Sequence, residues 1–252
     1  MENSMLIVEF TASMRFRCFL LALLLALVAA VEKMPGEYEP INGPTPLIIT
    51  MGDSITEVGA NPALMGYQVM LTNTYQRKAD VVNRGMSART TRWWLSQLPR
   101  VLKDWENKHP SLISIYLGVN DASLINGTDA ALHVPLDEFK ANLNAMVGSF
   151  SQAFPNCKIL LITPSAVDES TAWSVGRSNA EASKYAKMTK RMGGFLELPV
   201  VDAFTPTYND LTLFYDGLHL NARGNILLHG LILDTIRKNF PDLNPDTMGW
   251  AF

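Results

Sequence analysis

Cysteine is nearly absent from this sequence of 252 residues, which contains only Cys18 and Cys157. Cys18 lies in an N-terminal segment that we expect to be cleaved off, so no intrachain disulfide can form in the mature chain. The fold must therefore be stabilised by its hydrophobic core, for which 48% hydrophobic residues are sufficient. Cys157 opens the apolar run CKILLIT, which favours a small buried side chain over a reactive thiol.

The sequence also lacks a large excess of positive or negative side chains. The chain has 21 Lys and Arg against 24 Asp and Glu, for a formal net charge of -3. This balance gives no electrostatic reason to expect a nucleic-acid or anionic-membrane partner. Four scattered histidines and one mature cysteine do not form a metal-ligand cluster, and no phosphate-binding G-x-x-x-x-G-K-[ST] motif is present. We therefore expect neither a metal nor another cofactor.

The one long apolar run lies near the N-terminus. Arg15 and Arg17 precede an uncharged stretch over residues 18–31, which includes small residues at 28–30. These are the three parts of a secretory signal peptide, with cleavage after Ala30 and with Met14 as an alternative start. Because a membrane-spanning helix needs about 20 apolar residues, we expect no stable span. Secretion is the prediction, and a retained signal anchor or an intracellular location is the alternative.

The rest of the chain is predicted to be one domain. Residues 1–30 form the signal peptide, residues 31–45 form an N-terminal extension, and residues 46–252 contain no internal repeat or linker. A glycosylation sequon begins at Asn126 in a polar stretch, which suits a secreted protein.

Short apolar runs alternate with amphipathic segments along this domain. Continuous apolarity is typical of strands that are buried on both faces of a parallel sheet. The predicted strands are 46–52, 80–83, 111–117, 158–163 and 199–204. The predicted helices are 64–77, 91–102, 136–150, 177–192 and 222–240. Five alternations of strand and helix predict an α/β/α fold with a five-stranded parallel sheet that is covered on both faces. For the strand order we adopt the flavodoxin-like arrangement 2-1-3-4-5.

Ligands bind such a sheet beyond the carboxyl ends of its strands, where the strand order reverses. The loops after strands 1, 2 and 3 contain GDS (52–54), NRG (83–85) and GVND (118–121). Ser54 invites two interpretations, a helix cap or a nucleophile. Asp53 is expected to hold the turn or to support the neighbouring loops.

A serine nucleophile needs a base and a group that orients the base. Of the four histidines, His219 alone follows the last strand in a loop, and Asp216 precedes it by three residues with Gly217 between them. At that spacing the carboxylate can accept from Nδ1–H and leave Nε2 facing outward. The alternative is a turn aspartate beside a surface histidine.

Attack on a carbonyl also requires donors for the oxyanion. The candidates are the N–H of Ser54, the N–H of Gly85 and the side-chain amide of Asn120, which come from adjacent strand ends. An ordinary turn glycine and a capping asparagine are the alternatives for the last two.

These residues fall in four motif blocks, GDSIT, NRGMS, GVND and DGLH. The blocks resemble those of the SGNH hydrolases, also called GDSL-type esterases and lipases, and occur in the same order. The resemblance runs from Leu47 to about Phe240, and the stretches NRGMSARTTRWWL, HVPLDEFKANL and ILLITPSAVDE are similar to the isoamyl acetate-hydrolysing esterase subfamily. It implies a serine esterase for short-chain acyl esters with Ser54 as nucleophile, His219 as base and Asp216 as its partner. Ser54, Gly85 and Asn120 would form the oxyanion hole.

Other functions remain open at this stage. A lysophospholipase, a thioesterase, a carbohydrate deacetylase or an acyltransferase would use the same residues on a small-molecule or lipid ester. The different-class alternative is a non-catalytic flavodoxin-like module that binds a ligand, although Asp53 would repel an anion there. Another hydrolase fold is disfavoured because no G-x-S-x-G elbow is present; Ser87 comes closest.

Overall fold

The computed structural model describes residues 43–251, so the predicted signal peptide and most of the predicted extension lie outside the described residues. The strands in this range are β1 (Leu47–Gly52), β2 (Asp80–Gly85), β3 (Leu112–Tyr116), β4 (Lys158–Ile162) and β5 (Val200–Val201). The α-helices in this range are α1 (Ser54–Val58), α2 (Tyr67–Thr74), α3 (Thr91–Trp105), α4 (Leu136–Ala153), α5 (Asn179–Phe195), α6 (Phe204–Asn209) and α7 (Ala222–Asn239).

The strands form one sheet in the order β2-β1-β3-β4-β5, and every neighbouring pair is parallel. This confirms the order predicted from the sequence. Gly52 lies level with Gly85 on one side and with Tyr116 on the other. The loops that follow β1, β2 and β3 therefore leave the sheet side by side, which is the arrangement a shared site needs.

The core consists of two hydrophobic clusters, one on each face of the sheet. Because successive strand residues point to opposite faces, Ile48 packs in one cluster and Ile49 in the other. The first cluster includes residues of α2 and α7, such as Leu71 and Ile232, and the second includes residues of α3, α4 and α5. Helices thus cover both faces, which explains why the strands have no polar alternation.

Several predicted boundaries differ from the structure by a few residues, and local hydrogen bonds or backbone angles explain three of them. The fifth strand ends at Val201 instead of residue 204, because the N–H groups of Ala203 and Phe204 donate to Thr163 Oγ1 and the chain turns into α6. The helix predicted from residue 64 begins at Tyr67 after a 3-10 turn and Met65, whose φ of 47° is incompatible with a helix. The helix predicted from Arg177 begins at Asn179 instead, because Ser178 caps it.

The C-terminal segment packs back onto the domain. Leu243 and Met248 are buried in the first cluster, and the Tyr75 hydroxyl donates to the Leu243 carbonyl at 2.7 Å. The N–H of Ala251 donates to the carbonyl of Arg77 at 2.7 Å. Residues 241–251 therefore cover the C-terminal end of α2.

None of the helices between residues 43 and 251 is long and apolar enough to cross a membrane.

Candidate active site

Ser54 is the first residue of α1 and directly follows the turn after β1. The capping position belongs to Asp53, whose Oδ1 accepts from the N–H of Ile55 at 2.9 Å. The interpretation of Ser54 as the helix cap is therefore wrong, and its hydroxyl is available for another contact. That contact is with His219, whose Nε2 lies 2.9 Å from Ser54 Oγ.

The Asp216 carboxylate holds the other side of the imidazole. Its Oδ2 lies 2.7 Å from His219 Nδ1, while its Oδ1 accepts from the N–H groups of Leu218 and His219 at 2.9 and 2.8 Å. Burial acts to raise the pKa of Asp216, but these hydrogen bonds outweigh it and the pKa is lowered. The carboxylate thus stays ionised at neutral pH and favours the His219 tautomer that has its proton on Nδ1.

Gly217 makes this tight geometry possible. Its φ of +96° is a conformation that residues with a Cβ rarely adopt, and a Cβ there would lie 2.3 Å from Thr171 Oγ1. Glycine at this position therefore lets the chain turn tightly between Asp216 and His219.

Two aromatic side chains contact the imidazole. The ring of Tyr215 stacks on His219 with centroids 5.9 Å apart, and the ring of Trp173 meets it edge-on at 6.1 Å. Tyr215 is 51% exposed and offers apolar surface beside the Ser54 hydroxyl. Sequence analysis missed Trp173, because its segment carries no motif and reaches the site only through the fold. Trp94 lies in the core and donates from Nε1 to the Gly52 carbonyl at 3.1 Å.

Asp53 is fully buried below the site and has a carboxylate neighbour. Burial is the main cause that raises the pKa of Asp53 to about 7, and nearby Asp121 raises it further, against the opposing effects of the Ile55 N–H and Arg177. Burial likewise raises the pKa of Asp121 to about 7, although hydrogen bonds from Thr91 oppose it. Two buried acids thus support the loops after β1 and β3.

This burial predicts a pH-dependent stability. A carboxyl whose pKa is higher in the folded than in the unfolded state weakens folding as pH rises from about 4 to about 7. Asp53→Asn keeps an acceptor for the N–H of Ile55 but cannot ionise. We therefore expect its free energy of unfolding at pH 8 to exceed that of the wild type by at least about 1 kcal/mol, since one pKa unit corresponds to about 1.4 kcal/mol. Urea unfolding at pH 5 and pH 8 measures the difference, and an advantage that does not grow with pH would contradict this.

Gly85 lies at the end of β2, beside the first turn of α1. A Cβ on Gly85 would lie 2.1 Å from the Glu57 N atom and 2.5 Å from the carbonyl carbon of Thr56. The close approach of α1 therefore requires glycine at this position. In this structure the Gly85 N–H donates to Asn83 Oδ1 at 2.7 Å, and Asn83 Nδ2 donates to the Thr56 carbonyl at 2.6 Å.

Gly85→Ala is expected to displace α1, because the clash is with backbone that cannot move aside alone. We expect kcat to fall by roughly 10²-fold, as a shift of about 1 Å at the reacting atoms costs about that much. Gly148→Ala is the matched control, because a Cβ there meets nothing within 4 Å and the change removes a helix-interior glycine. It should keep full activity and raise the unfolding free energy by about 0.5–1 kcal/mol. Steady-state rates and urea unfolding of both variants test this.

Asn120 lies in the loop after β3 and is 2% exposed. Its Nδ2 donates to the Arg89 carbonyl at 3.1 Å, and its Oδ1 accepts from Arg177 Nη2 at 2.8 Å. A side-chain amide has two N–H groups, so one donor remains for a ligand beside the Arg89 contact. The contact with Arg89 also ties the loop after β3 to the loop after β2.

The other histidines lie apart from this arrangement. His133 Nδ1 contacts the Ser123 carbonyl at 2.7 Å, and His229 Nε2 contacts Thr74 Oγ1 at 3.1 Å. His109 precedes β3 and therefore lies at the opposite end of the strands from Ser54. In the part of the chain that the structure describes, no group of three His, Cys, Asp or Glu is placed to hold a metal ion.

The chain is similar to known proteins in both sequence and fold. A model of the GDSL-like lipase/acylhydrolase family matches residues 50–226. The isoamyl acetate-hydrolyzing esterase 1 homolog of Rattus norvegicus is 33% identical over 219 residues, which cover 80% of this chain and 86% of the rat protein. The crystal structure of a lipase/acylhydrolase from Enterococcus faecalis is similar with a TM-score of 0.62 and 26% identity, covering 77% of this chain and 96% of that one. An acetylxylan esterase from Geobacillus stearothermophilus is similar with a TM-score of 0.58 and 25% identity, covering 77% and 95%.

Proposed function

Because this chain belongs to the GDSL-like lipase/acylhydrolase family and is an ester-bond hydrolase, we propose that it uses Ser54 as nucleophile, His219 as general base and Asp216 as the group that orients the base. One observation carries the proposal: an unbroken series of contacts from Asp216 through His219 to Ser54, at 2.7 and 2.9 Å. Capping and core packing require none of these contacts, whereas acyl transfer requires all of them.

The mechanism follows from this geometry. Ser54 Oγ attacks the ester carbonyl while His219 Nε2 takes its proton, and Asp216 stabilises the imidazolium that forms. His219 then returns the proton to the leaving alcohol, which departs and leaves an acyl-enzyme on Ser54. A water molecule, deprotonated by the same imidazole, attacks the carbonyl carbon of this ester. The bond between Ser54 Oγ and the acyl group breaks, His219 returns the proton to Oγ, and the acid is released.

The developing oxyanion is proposed to bind the N–H of Ser54, the N–H of Gly85 and the amide of Asn120. The Asn120 amide has a donor left over, as described above. The Gly85 N–H now donates to Asn83 Oδ1, so binding of the oxyanion requires this hydrogen bond to be shared or exchanged. A carbonyl oxygen that becomes negative is a stronger acceptor than a neutral amide, which favours the exchange in the transition state.

The proposed substrates are short-chain acyl esters, above all acetates. Support comes from the similar proteins, since the rat relative is named for isoamyl acetate hydrolysis and the Geobacillus enzyme is an acetylxylan esterase. The exposed face of Tyr215 offers apolar contact for the alcohol portion beside the reacting hydroxyl.

A chain-length series tests the acyl preference. We expect kcat/KM for p-nitrophenyl acetate to exceed that for the octanoate by at least about tenfold, because each methylene that a site cannot accommodate costs about 1–3 kcal/mol. Isoamyl acetate and an acetylated xylooligosaccharide, assayed by acetate release, separate an alkyl ester from a carbohydrate substrate. A preference for octanoate or longer chains would contradict the acetate proposal and favour the lysophospholipase alternative.

We also propose that the protein is secreted with its N-terminal leader removed. The composition of residues 14–33 supports this, and the sequon residue Asn126 lies exposed in the loop after β3, where a glycan can be attached. N-terminal sequencing of protein collected from the medium should begin at Val31. Intact protein that starts at Met1 and stays inside the cells would contradict it.

A further inference from the structure

A buried guanidinium contacts the amide that is proposed to bind the oxyanion. Arg177 is only 3% exposed, and its Nη2 donates to Asn120 Oδ1 at 2.8 Å. Its Nη1 donates to Asp129 Oδ2, and its guanidinium carbon lies 5.1 Å from the centroid of the Trp173 ring. The same Trp173 contacts the imidazole of His219. Arg177 thus contacts Asn120, a proposed oxyanion donor, directly. It is linked to the proposed base His219 by the Trp173 ring, which lies against both side chains.

Burial of a guanidinium is costly unless its N–H groups find partners. Here one partner is a carboxylate and another is the neutral amide of Asn120, while Nε has no hydrogen-bond partner. Anchoring the Asp129 loop alone would not require the guanidinium to reach Asn120 in the interior.

We propose that Arg177 is a positioning residue that fixes the orientation of the Asn120 amide and strengthens its N–H group as a donor to the oxyanion. This inference rests on the proposed function and assigns a role to a side chain outside the four motif blocks. An arginine can only donate, so the amide atom that faces Nη2 must be Oδ1, and Nδ2 must face the other way. The inverted amide would turn its oxygen toward the developing negative charge, which it would repel.

The charge of Arg177 acts in the same direction as its position. A cation at the carbonyl oxygen of an amide draws electron density from the nitrogen, so the remaining N–H becomes more positive and a better donor. Because this hydrogen bond strengthens as the oxyanion forms, the effect falls on kcat more than on KM. The Arg89 carbonyl also holds the Nδ2 side of the amide, so loss of Arg177 should cost less than loss of Asn120 itself.

A double-mutant cycle tests the proposal. Asn120→Ala is expected to lower kcat by roughly 10²- to 10³-fold, and Arg177→Met by roughly 10- to 10²-fold, with KM changed by less than about threefold in both. Because Arg177 acts through Asn120, the double variant should be no slower than Asn120→Ala alone. Arg177→Lys keeps the charge and should retain part of the kcat that Arg177→Met loses. If Arg177→Met does not fold, the double-mutant cycle is carried out with Arg177→Lys and Asn120→Ala instead.

Asp129→Asn is the matched control, since it weakens the ion pair of Arg177 but leaves the contact with Asn120 in place. We expect its kcat to stay within about threefold of the wild type. Additive losses in the cycle, or an unchanged kcat in the folded Arg177 variant, would overturn the inference and leave the proposed function standing. If Ser54→Ala and Asn120→Ala both retain wild-type kcat, the proposed function fails and the inference fails with it.

Discussion

Replacing Ser54 by alanine is expected to lower kcat for p-nitrophenyl acetate by roughly 10⁴- to 10⁶-fold, the range found when a serine nucleophile is removed from a triad. The hydroxyl lies 2.9 Å from His219 Nε2, and no other group takes its place once Oγ is gone. Stability should change by less than about 0.5 kcal/mol, because Asp53 and not Ser54 caps α1. Initial-rate kinetics and thermal unfolding of the same preparations measure both quantities.

Ser87 provides the matched control for this substitution. It is an exposed serine shortly after β2, in the NRGMS block, and its side chain is assigned no role in the chemistry. Ser87→Ala should keep wild-type rates, and an organophosphonate should add its mass once to the wild type and to Ser87→Ala but not to Ser54→Ala. Covalent labelling of Ser54→Ala, or loss of activity in Ser87→Ala, would show that Ser54 is not the nucleophile.

Replacing Asp216 by asparagine is expected to lower kcat by about 10⁴-fold at pH 7, with little change in KM. Asparagine keeps Oδ1 as acceptor for the N–H groups of Leu218 and His219, so the loop should hold its shape. Its NH₂ group, however, replaces the carboxylate oxygen that faces His219 Nδ1. The imidazole must then present a lone pair at Nδ1 and carry its proton on Nε2, where it can no longer accept the Ser54 proton.

The pH profile separates this tautomer effect from unfolding. Activity of Asp216→Asn should rise with pH at the alkaline end, where hydroxide can replace the missing base, while its unfolding temperature stays near that of the wild type. Asp210→Asn is the control, because Asp210 also accepts from a backbone N–H in a nearby turn but lies outside the site. If kcat falls equally in the two variants, Asp216 only stabilises its turn and does not orient His219.

Much of the fold was predictable because the central strands β1, β3 and β4 are buried on both faces. Continuous apolar runs mark such strands, and the amphipathic segments between them mark the covering helices, so the parallel sheet followed from the alternation. The strand order was adopted from the flavodoxin-like arrangement, and the structure has that order. The ends of helices and strands were predicted less accurately than their order. The capping hydrogen bond of Ser178 and the hydrogen bonds to Thr163 shift two of these ends by a few residues. Such side chain to backbone bonds depend on geometry that periodicity does not report.

The site was predictable where its chemistry is local in sequence. Asp216 and His219 are three residues apart, and Ser54 follows a strand, so their spacing permits a triad. The four motif blocks taken together, and not the spacing of this pair alone, favour it over a turn aspartate beside a surface histidine. Arg177 and Trp173 could not be found in this way, because only the fold brings them to Asn120 and His219. The steric reason for Gly85 could not be predicted either. The atoms that exclude a Cβ there belong to the backbone of α1, and backbone contacts cannot be recognised from the types of the residues that make them.

The contact between Ser54 and His219 joins positions that are 165 residues apart in the chain. Under the proposed roles, a chain synthesised from its N-terminus presents the nucleophile early and the base only near the end, so no fragment that stops before His219 has both. Closing a contact of such long sequence separation carries a large loop-closure entropy. Recovery of esterase activity after dilution from urea should therefore report that the domain has folded far enough to bring its two ends together.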